Sequence, residues 1–454
     1  MPTTPRLSPL DSSFLEVESP TAHMHVGWVA LLSPPSDRPA PTFVELREHI
    51  DSRMGRAPRY RQKLMEVPLG IHDPVWIDDD DFDIVRHVRR APGSDLSSVV
   101  DGVMSAPLDR SLPLWELWVA DGLDDGRLAL IGKAHHCMVD GIAAVELAAL
   151  LLDPTPEPPP PDPDGWQPAP APDRISLLAS GVRDRALEEL DLLRLPARLI
   201  GSPRRVLSLA EDGRRAVRAL ASSFRSPAPR SVLNAPGSSL RHLALLGRPM
   251  DDLRRVKGHF HTTINDVVLA AASGGMRRFL ERRGEPPSRL KTMVPVNLRG
   301  GGADDLGNRI SFLFVDLPCD EPDPVRRLQD VHMSMTDCKE GGEPEGGDSV
   351  LKMVGYAPHA LQHMVSRIVA SPRTYNLTVS NIPGPRETLY MRGCELQEAY
   401  PVVPFSDSHA VSIGITTVKD GAYFGIYADR ESMPDAELLA QDIDISIDEL
   451  LERV

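Results

Sequence analysis

The chain has 454 residues, of which 41% are apolar and 25% charged. That much apolar material excludes a disordered chain, and the length exceeds one ordinary core, so two domains of roughly 200 residues each are expected. The formal net charge of −15 argues against a nucleic-acid partner, because phosphate binding calls for a basic face.

The four cysteines, Cys137, Cys319, Cys338 and Cys394, are widely spaced and form no CxxC pair. A disulfide framework is not expected, and a reducing compartment fits better. The first residues, MPTTPRLSPLDSSFLEVE, have no apolar signal core, and no window approaches 18 uninterrupted apolar residues. Neither a secretory signal nor a membrane-spanning helix is expected. The expected location is cytoplasmic, with peripheral contact to an inner membrane or lipid droplet as an option.

No repeat of 20–50 residues is present. In chain order, residues 25–32 (HVGWVALL) predict a strand and residues 42–54 a helix. Residues 127–135 (RLALIGKAH) predict a buried strand, and Gly141 to Leu152 predicts an Ala- and Leu-rich helix ending at Asp153-Pro154. Residues 154–173, PTPEPPPPDPDGWQPAPAPD, predict an extended, polyproline-like linker over the surface.

Residues 174–230 carry 12 Arg and no Lys against 6 acidic residues, a net +6 inside an acidic protein. They read as solvent-exposed helices. They also read as a basic amphipathic surface for an anionic membrane or a lipid droplet. From residue 239 the strand and helix pattern returns. LRHLALLG reads as a strand, Asn265 to Glu281 as a long helix, and KTMVPVNLRG as a strand. CKEGGEPEGGD (338–348) reads as a flexible acidic loop. YNLTVSNIPGP, HAVSIGITTVKDG and AYFGIYAD read as strands, the last two joined as a hairpin, before a final acidic helix. The expected boundaries are an N-terminal half over 1–153, a linker and basic helical segment over 154–230, and a C-terminal half over 231–454. Mixed strands and helices in both halves predict two α/β layers side by side.

The chemistry concentrates at His135-His136-Cys137-Met138-Val139-Asp140-Gly141, an HHxxxDG pattern between a predicted strand and a predicted helix. Such a loop projects a side chain into a cleft while its backbone is held from both sides. A neutral imidazole can take a proton from an attacking alcohol. Neighbouring residues of an extended chain point to opposite faces, so one of His135 and His136 faces the cleft and the other supports the loop. Asp140 lies where a helix start favours a carboxylate, or it pairs with a distant Arg to lock the loop. Gly141 permits close backbone approach. Three other readings stand beside catalysis by a base. They are a metal site from His135, His136 and Asp140, for which no Cys/His cluster completes a set; a purely structural His pair; and Cys137 as nucleophile.

HHxxxDG after a strand resembles the motif of CoA-dependent acyltransferases with the chloramphenicol acetyltransferase-like fold, including condensation domains. More narrowly, the chain resembles the bacterial wax ester synthase/diacylglycerol acyltransferase family. The resemblance rests on an ordered set running from about residue 7 to the end. Pro9-Leu10-Asp11-Ser12-Ser13-Phe14 and Met24-His25-Val26-Gly27 come first, followed by Pro113-Leu114-Trp115-Glu116. Asn265-Asp266-Val267-Val268-Leu269-Ala270, Met293 to Arg299 and Asn376 to Pro385 complete it.

That resemblance implies two subdomains of similar topology, α/β with mixed sheets and flanking helices, meeting at a tunnel. It implies that His136 is the base and Asp140 structural. The implied activity is transfer of an acyl group from acyl-CoA to diacylglycerol, a long-chain alcohol or both, with no cofactor beyond acyl-CoA. Asn265 is a candidate oxyanion donor, or equally a helix N-cap. Pro113, Leu114 and Trp115 read as core packing beside the active-site strand, and as candidates with Asp266 for substrate binding. The Asn381 to Pro385 turn reads as a structural bend. The alternatives are an inactive lipid-binding or droplet-coating protein and a condensation-type enzyme with another acceptor.

Overall fold

In the computed structural model, the residues described are 5–138, 151–161, 164–200, 227–297, 310–340, 367 and 370–454. Asp140, Gly141, most of the helix expected over 141–152 and most of the expected acidic loop lie outside them.

Among the described residues, two six-stranded sheets organise the molecule. The N-terminal part supplies α1 (Pro9–Val17), β1 (His25–Ser33), α2 (Phe43–Asp51), β2 (Gln62–Met65) and β3 (Val75–Asp78). It continues with α3 (Ile84–His87), β4 (Val88–Arg90), α4 (Leu96–Ser105), β5 (Trp115–Ala120) and β6 (Leu128–His135). α5 (Arg174–Ile200) follows the linker. The C-terminal part supplies β7 (Arg241–Pro249), α6 (Met250–Phe260), α7 (Ile264–Arg282), β8 (Leu290–Asn297), β9 (Ile310–Leu317) and α8 (Pro324–Glu340). It ends with β10 (Leu377–Asn381), β11 (Tyr390–Met391), β12 (Cys394–Val402), β13 (Val411–Val418), β14 (Gly421–Asp429) and α9 (Ala436–Leu451).

The first sheet runs β11-β12-β1-β6-β5-β4 and the second β7-β14-β13-β10-β8-β9. One strand pair breaks the division by sequence: β12, from the C-terminal part, pairs antiparallel with β1, aligning Gly27 with Val402. On its other edge β1 pairs with β6, aligning His25 with His135.

Period-2 alternation sorts the first sheet into two faces. Val26, Ala30, Leu130 and Ala134 pack on one side with α2, while Val29, Leu31, Ala129 and Ile131 pack on the other with α4. That second cluster also contains Leu243 and Tyr427 of the second sheet, so it joins the two halves. The largest core wraps α7 and α9 against the second sheet.

The expected helices over 42–54 and 265–281 are present as α2 and α7, each opened by a capping box, Thr42 with Glu45 and Thr263 with Asp266. All eight residues of β6 are buried, as the apolar run predicts. The β13–β14 hairpin turns at Lys419 and Asp420 as read. One boundary differs: Cys338 to Glu340 finish α8 instead of opening a loop.

The described residues of the Pro-rich segment 154–173 form no helix or strand and are anchored. Asp164 pairs with Arg61, and the same guanidinium lies 4.9 Å over the Trp166 ring. In α5, Leu177 is buried against Val67, Val75 and Ile77, while Ile175, Val182 and Leu187 are exposed. Among the described residues no helix is long and apolar enough to cross a membrane.

Candidate active site

β6 ends in the HHxxxDG motif, and the backbone turns immediately. The His135 N–H donates to Leu114 O at 2.9 Å, and the Met138 N–H closes a turn onto His135 O at 2.9 Å. Between them the His136 N–H donates to Met24 O at 2.9 Å. Met24 has φ 48°, a left-handed bend that non-glycine residues adopt rarely. The MHVG stretch thereby supplies both the carbonyl that holds His136 and the strand that flanks β6.

The two histidines occupy different environments. His135 is 1% exposed, and burial, then His136 and Arg110, push its imidazole pKa down to about 3. Its Nδ1 accepts the Cys137 N–H at 3.1 Å, which assigns the ring proton of the neutral form to Nε2. His136 is half-buried, and its ring stacks on Phe14 with centroids 3.7 Å and planes 9° apart. Phe14 lies on α1, which Ser8 caps by accepting the Asp11 N–H at 3.1 Å. The PLDSSF stretch is therefore the helix that clasps the second histidine. Phe14 was present in the sequence motif, but nothing in spacing alone announced its partner.

Cys137 is 3% exposed, and burial raises its thiol pKa far above the ordinary value. A thiol so disfavoured as thiolate is no nucleophile at neutral pH. Beside the pair, Arg110 forms an ion pair with Glu18, the residue that ends α1. Glu18 Oε2 lies 3.8 Å from His135 Nε2, and burial raises the Glu18 pKa against the pull of Arg110. Among the described residues no three His, Cys, Asp or Glu side chains converge as a metal site.

An apolar cavity of ≈ 260 Å³ lies on the α2 side of the first sheet. Val26, Trp28 and Ala30 of β1 form one wall, Ala399, Tyr400 and Pro401 of β12 another, and Ile382 to Pro385 a third. The turn read as a bend is thus also cavity wall. It fits because Gly384 presses onto β13: a Cβ there would lie 1.9 Å from Thr417 O. Gly132 serves similarly, since its missing side chain leaves room for the Trp28 ring.

Of the other expected site residues, Pro113 and Leu114 are buried, Leu114 among Leu7, Trp76 and Cys137. Trp115 donates its indole N–H to Tyr60 O at 2.7 Å and stacks on His87 at 4.6 Å. It lines a small 20 Å³ void that shares Val26, Trp28 and Leu151 with the larger cavity.

Asn265 is half-buried at the second position of α7 and is not its N-cap; that reading is corrected, because Thr263 caps the helix through the Asp266 N–H at 3.2 Å. The Asp266 carboxylate is engaged in the fold. It accepts from the Thr263 N–H at 2.9 Å and meets His332 Nδ1 at 2.8 Å.

Downstream of the motif, Asp153 is held by Arg53 through two bonds of 2.9 and 2.7 Å, fully buried. It also exchanges backbone hydrogen bonds with Tyr390 at 2.7 and 2.8 Å. This fixes the chain where it leaves the segment carrying Asp140.

Comparison with known proteins agrees with this arrangement. Residues 7–268 match the family model for the wax ester synthase/diacylglycerol acyltransferase catalytic domain, and residues 306–451 match its C-terminal domain. A probable diacylglycerol O-acyltransferase of Mycobacterium tuberculosis is 33% identical over 458 residues, covering 98% of this chain and 95% of that protein. A second from the same organism is 32% identical over 465 residues, covering 99% of each.

Among solved structures, the wax ester synthase/diacylglycerol acyltransferase from Marinobacter aquaeolei VT8 superposes with TM-score 0.69 at 24% identity, covering 99% of both chains. The starter condensation domain of rhizomide synthetase shares the fold at TM-score 0.59 and 13% identity, covering 99% of this chain and 94% of that one. With both domain models matched in order and relatives aligned end to end, this chain is an acyltransferase belonging to the wax ester synthase/diacylglycerol acyltransferase family.

Proposed function

We propose that the chain esterifies diacylglycerol, a long-chain alcohol or both, using acyl-CoA, with His136 as general base. The observation that carries this reading is the contrast between adjacent histidines. His135 is sealed and neutral, whereas His136 is half-buried and held by a backbone bond and a stacked ring.

In the proposed step, His136 removes the proton from the acceptor hydroxyl as its oxygen attacks the thioester carbonyl carbon. The tetrahedral oxyanion then collapses and the C–S bond breaks. The CoA thiolate leaves and takes the proton from His136. The balance closes without a covalent acyl-enzyme or a further cofactor. An oxyanion donor contributes roughly 2.7–4 kcal/mol, and the Asn265 side chain, free of capping duty, is the proposed donor.

The apolar cavity behind β1 suits an alkyl chain, and Trp28, Pro383 and Tyr400 on its wall would read chain length. Trp115 would act one layer further out. Asp140 and Gly141 keep the roles implied by resemblance: a structural carboxylate, and a glycine that lets the backbone approach.

Peripheral contact with a membrane or lipid droplet is proposed through residues 174–230. On α5, Ile175, Ala179, Val182, Ala186 and Leu190 recur at helical spacing and are exposed, an apolar stripe turned outward and flanked by Arg183 and Arg185.

One assay tests the function. Purified protein is incubated with labelled palmitoyl-CoA and either a diacylglycerol or hexadecanol, and ester and free CoA are followed together. Ester formed in step with CoA release is expected with at least one acceptor. No ester with either acceptor, with binding of both lipids retained, would replace this reading with that of a lipid-coating protein.

A further inference from the structure

We propose that Glu18 is a positioning residue for acyl transfer, acting on the catalytic loop through His135; this rests on the assignment of His136 as the base. Because His135 Nδ1 accepts the Cys137 N–H at 3.1 Å, the ring hydrogen sits on Nε2. That Nε2 is buried and has no hydrogen bond among the described residues. A buried donor calls for an acceptor. Glu18 Oε2, 3.8 Å away, carries an acceptor and is fixed from two sides. Arg110 pairs with its carboxylate, and its backbone N–H caps α1 by donating to Phe14 O at 3.2 Å.

Arg110 and His136 also act on His135, and both disfavour its charged form. His25, paired opposite His135 on β1, is 1% exposed and held neutral by burial. One helix end thereby grips two consecutive residues. Phe14 stacks on the His136 ring, and Glu18 faces the His135 N–H, whose other nitrogen holds the peptide that follows His136. Catalytic hydrogen bonds that are long in a free enzyme commonly tighten when substrate binds, and a misplacement of ~1 Å costs on the order of 100-fold in rate.

The test compares Glu18→Ala, Glu18→Gln, Arg110→Ala, His135→Ala and His136→Ala, with a Glu18→Ala/His135→Ala double variant. Glu18→Ala is expected to lower kcat about 10- to 100-fold with the KM for palmitoyl-CoA unchanged. Glu18→Gln retains a carbonyl oxygen for the Nε2–H and restores most of kcat. In the His135→Ala background, removing Glu18 adds no further loss, because the two act in series. If Glu18→Ala does not fold, Glu18→Leu, which keeps the bulk and removes the acceptor, carries the same comparisons.

Wild-type kcat in Glu18→Ala, or full additivity with His135→Ala, overturns the proposal. So does an equal loss in Glu18→Gln and Arg110→Ala, which would make the ion pair alone the cause. Wild-type activity in His136→Ala would instead overturn the base assignment, whatever the Glu18 variants do.

Discussion

The backbone at His136 is held by Met24 and its ring lies on Phe14, so replacing the imidazole leaves the surrounding fold little changed. His136→Ala is expected to lose at least about 100-fold in kcat, the low end for a general base, with the thermal midpoint near wild type. His135→Ala should cost less in kcat and more in stability, because it vacates a buried site and frees the Cys137 N–H. The opposite ranking in steady-state kinetics would exchange the two roles.

Gly384 is a second such position. A methyl group there meets the Thr417 carbonyl, so Gly384→Ala should cost about 1–3 kcal/mol in denaturant unfolding. It should also shift acyl or alcohol chain preference, because the displaced turn forms cavity wall. At this scale the sequence was legible where chemistry demands a residue type at a spacing, as in the histidine pair. It was silent on Glu18 and on the partner of Phe14, because both depend on where α1 lands.

Among the elements, α7 shows how a local signal can be misread by two positions. Asn265 and Thr263 are both residue types that cap, but the Thr263-x-x-Asp266 pattern forms the reciprocal box and places Asn265 inside the first turn. Thr263→Ala should therefore lower stability by about 1 kcal/mol, read from denaturant midpoints. Asn265→Ala should leave the midpoint unchanged and, as the proposed oxyanion donor, lower kcat. Unchanged kcat removes it from the mechanism.

The long elements that were read, such as β1, β6, β13, β14, α2 and α7, were legible because each buries one face or both, leaving period-2, period-3.6 or continuous apolar runs, whereas β9, β12, α6 and α8 were not read. For β12 the partner was hidden as well. Its burial alternates in part along Cys394–Val402, yet nothing local distinguishes pairing with a C-terminal strand from pairing with β1.

The two halves of the molecule meet across a charged contact that responds to pH. His242, near the start of β7, lies 2.8 Å from Asp101 on α4 and 2.5 Å from Glu437 on α9. The hydrogen bond to Asp101, opposed by burial and aided by both carboxylates, raises its pKa above the ordinary imidazole value. The folded protein thus holds a proton more tightly than the unfolded chain. The contribution to stability is complete below about pH 6.5 and is lost as pH rises through the elevated pKa. His242→Gln should therefore destabilise more at pH 6 than at pH 9 in parallel thermal scans. Equal destabilisation at both would remove the titrating contact.

The strand exchange has a consequence for how the gene product can be divided. An N-terminal fragment ending before β7 would present the long apolar edge of β1 bare, and such edges template aggregation. Expressed alone, that fragment should precipitate. Co-expressed with its complement as a split polypeptide, it should recover a native-like particle, because the missing edge then arrives in trans.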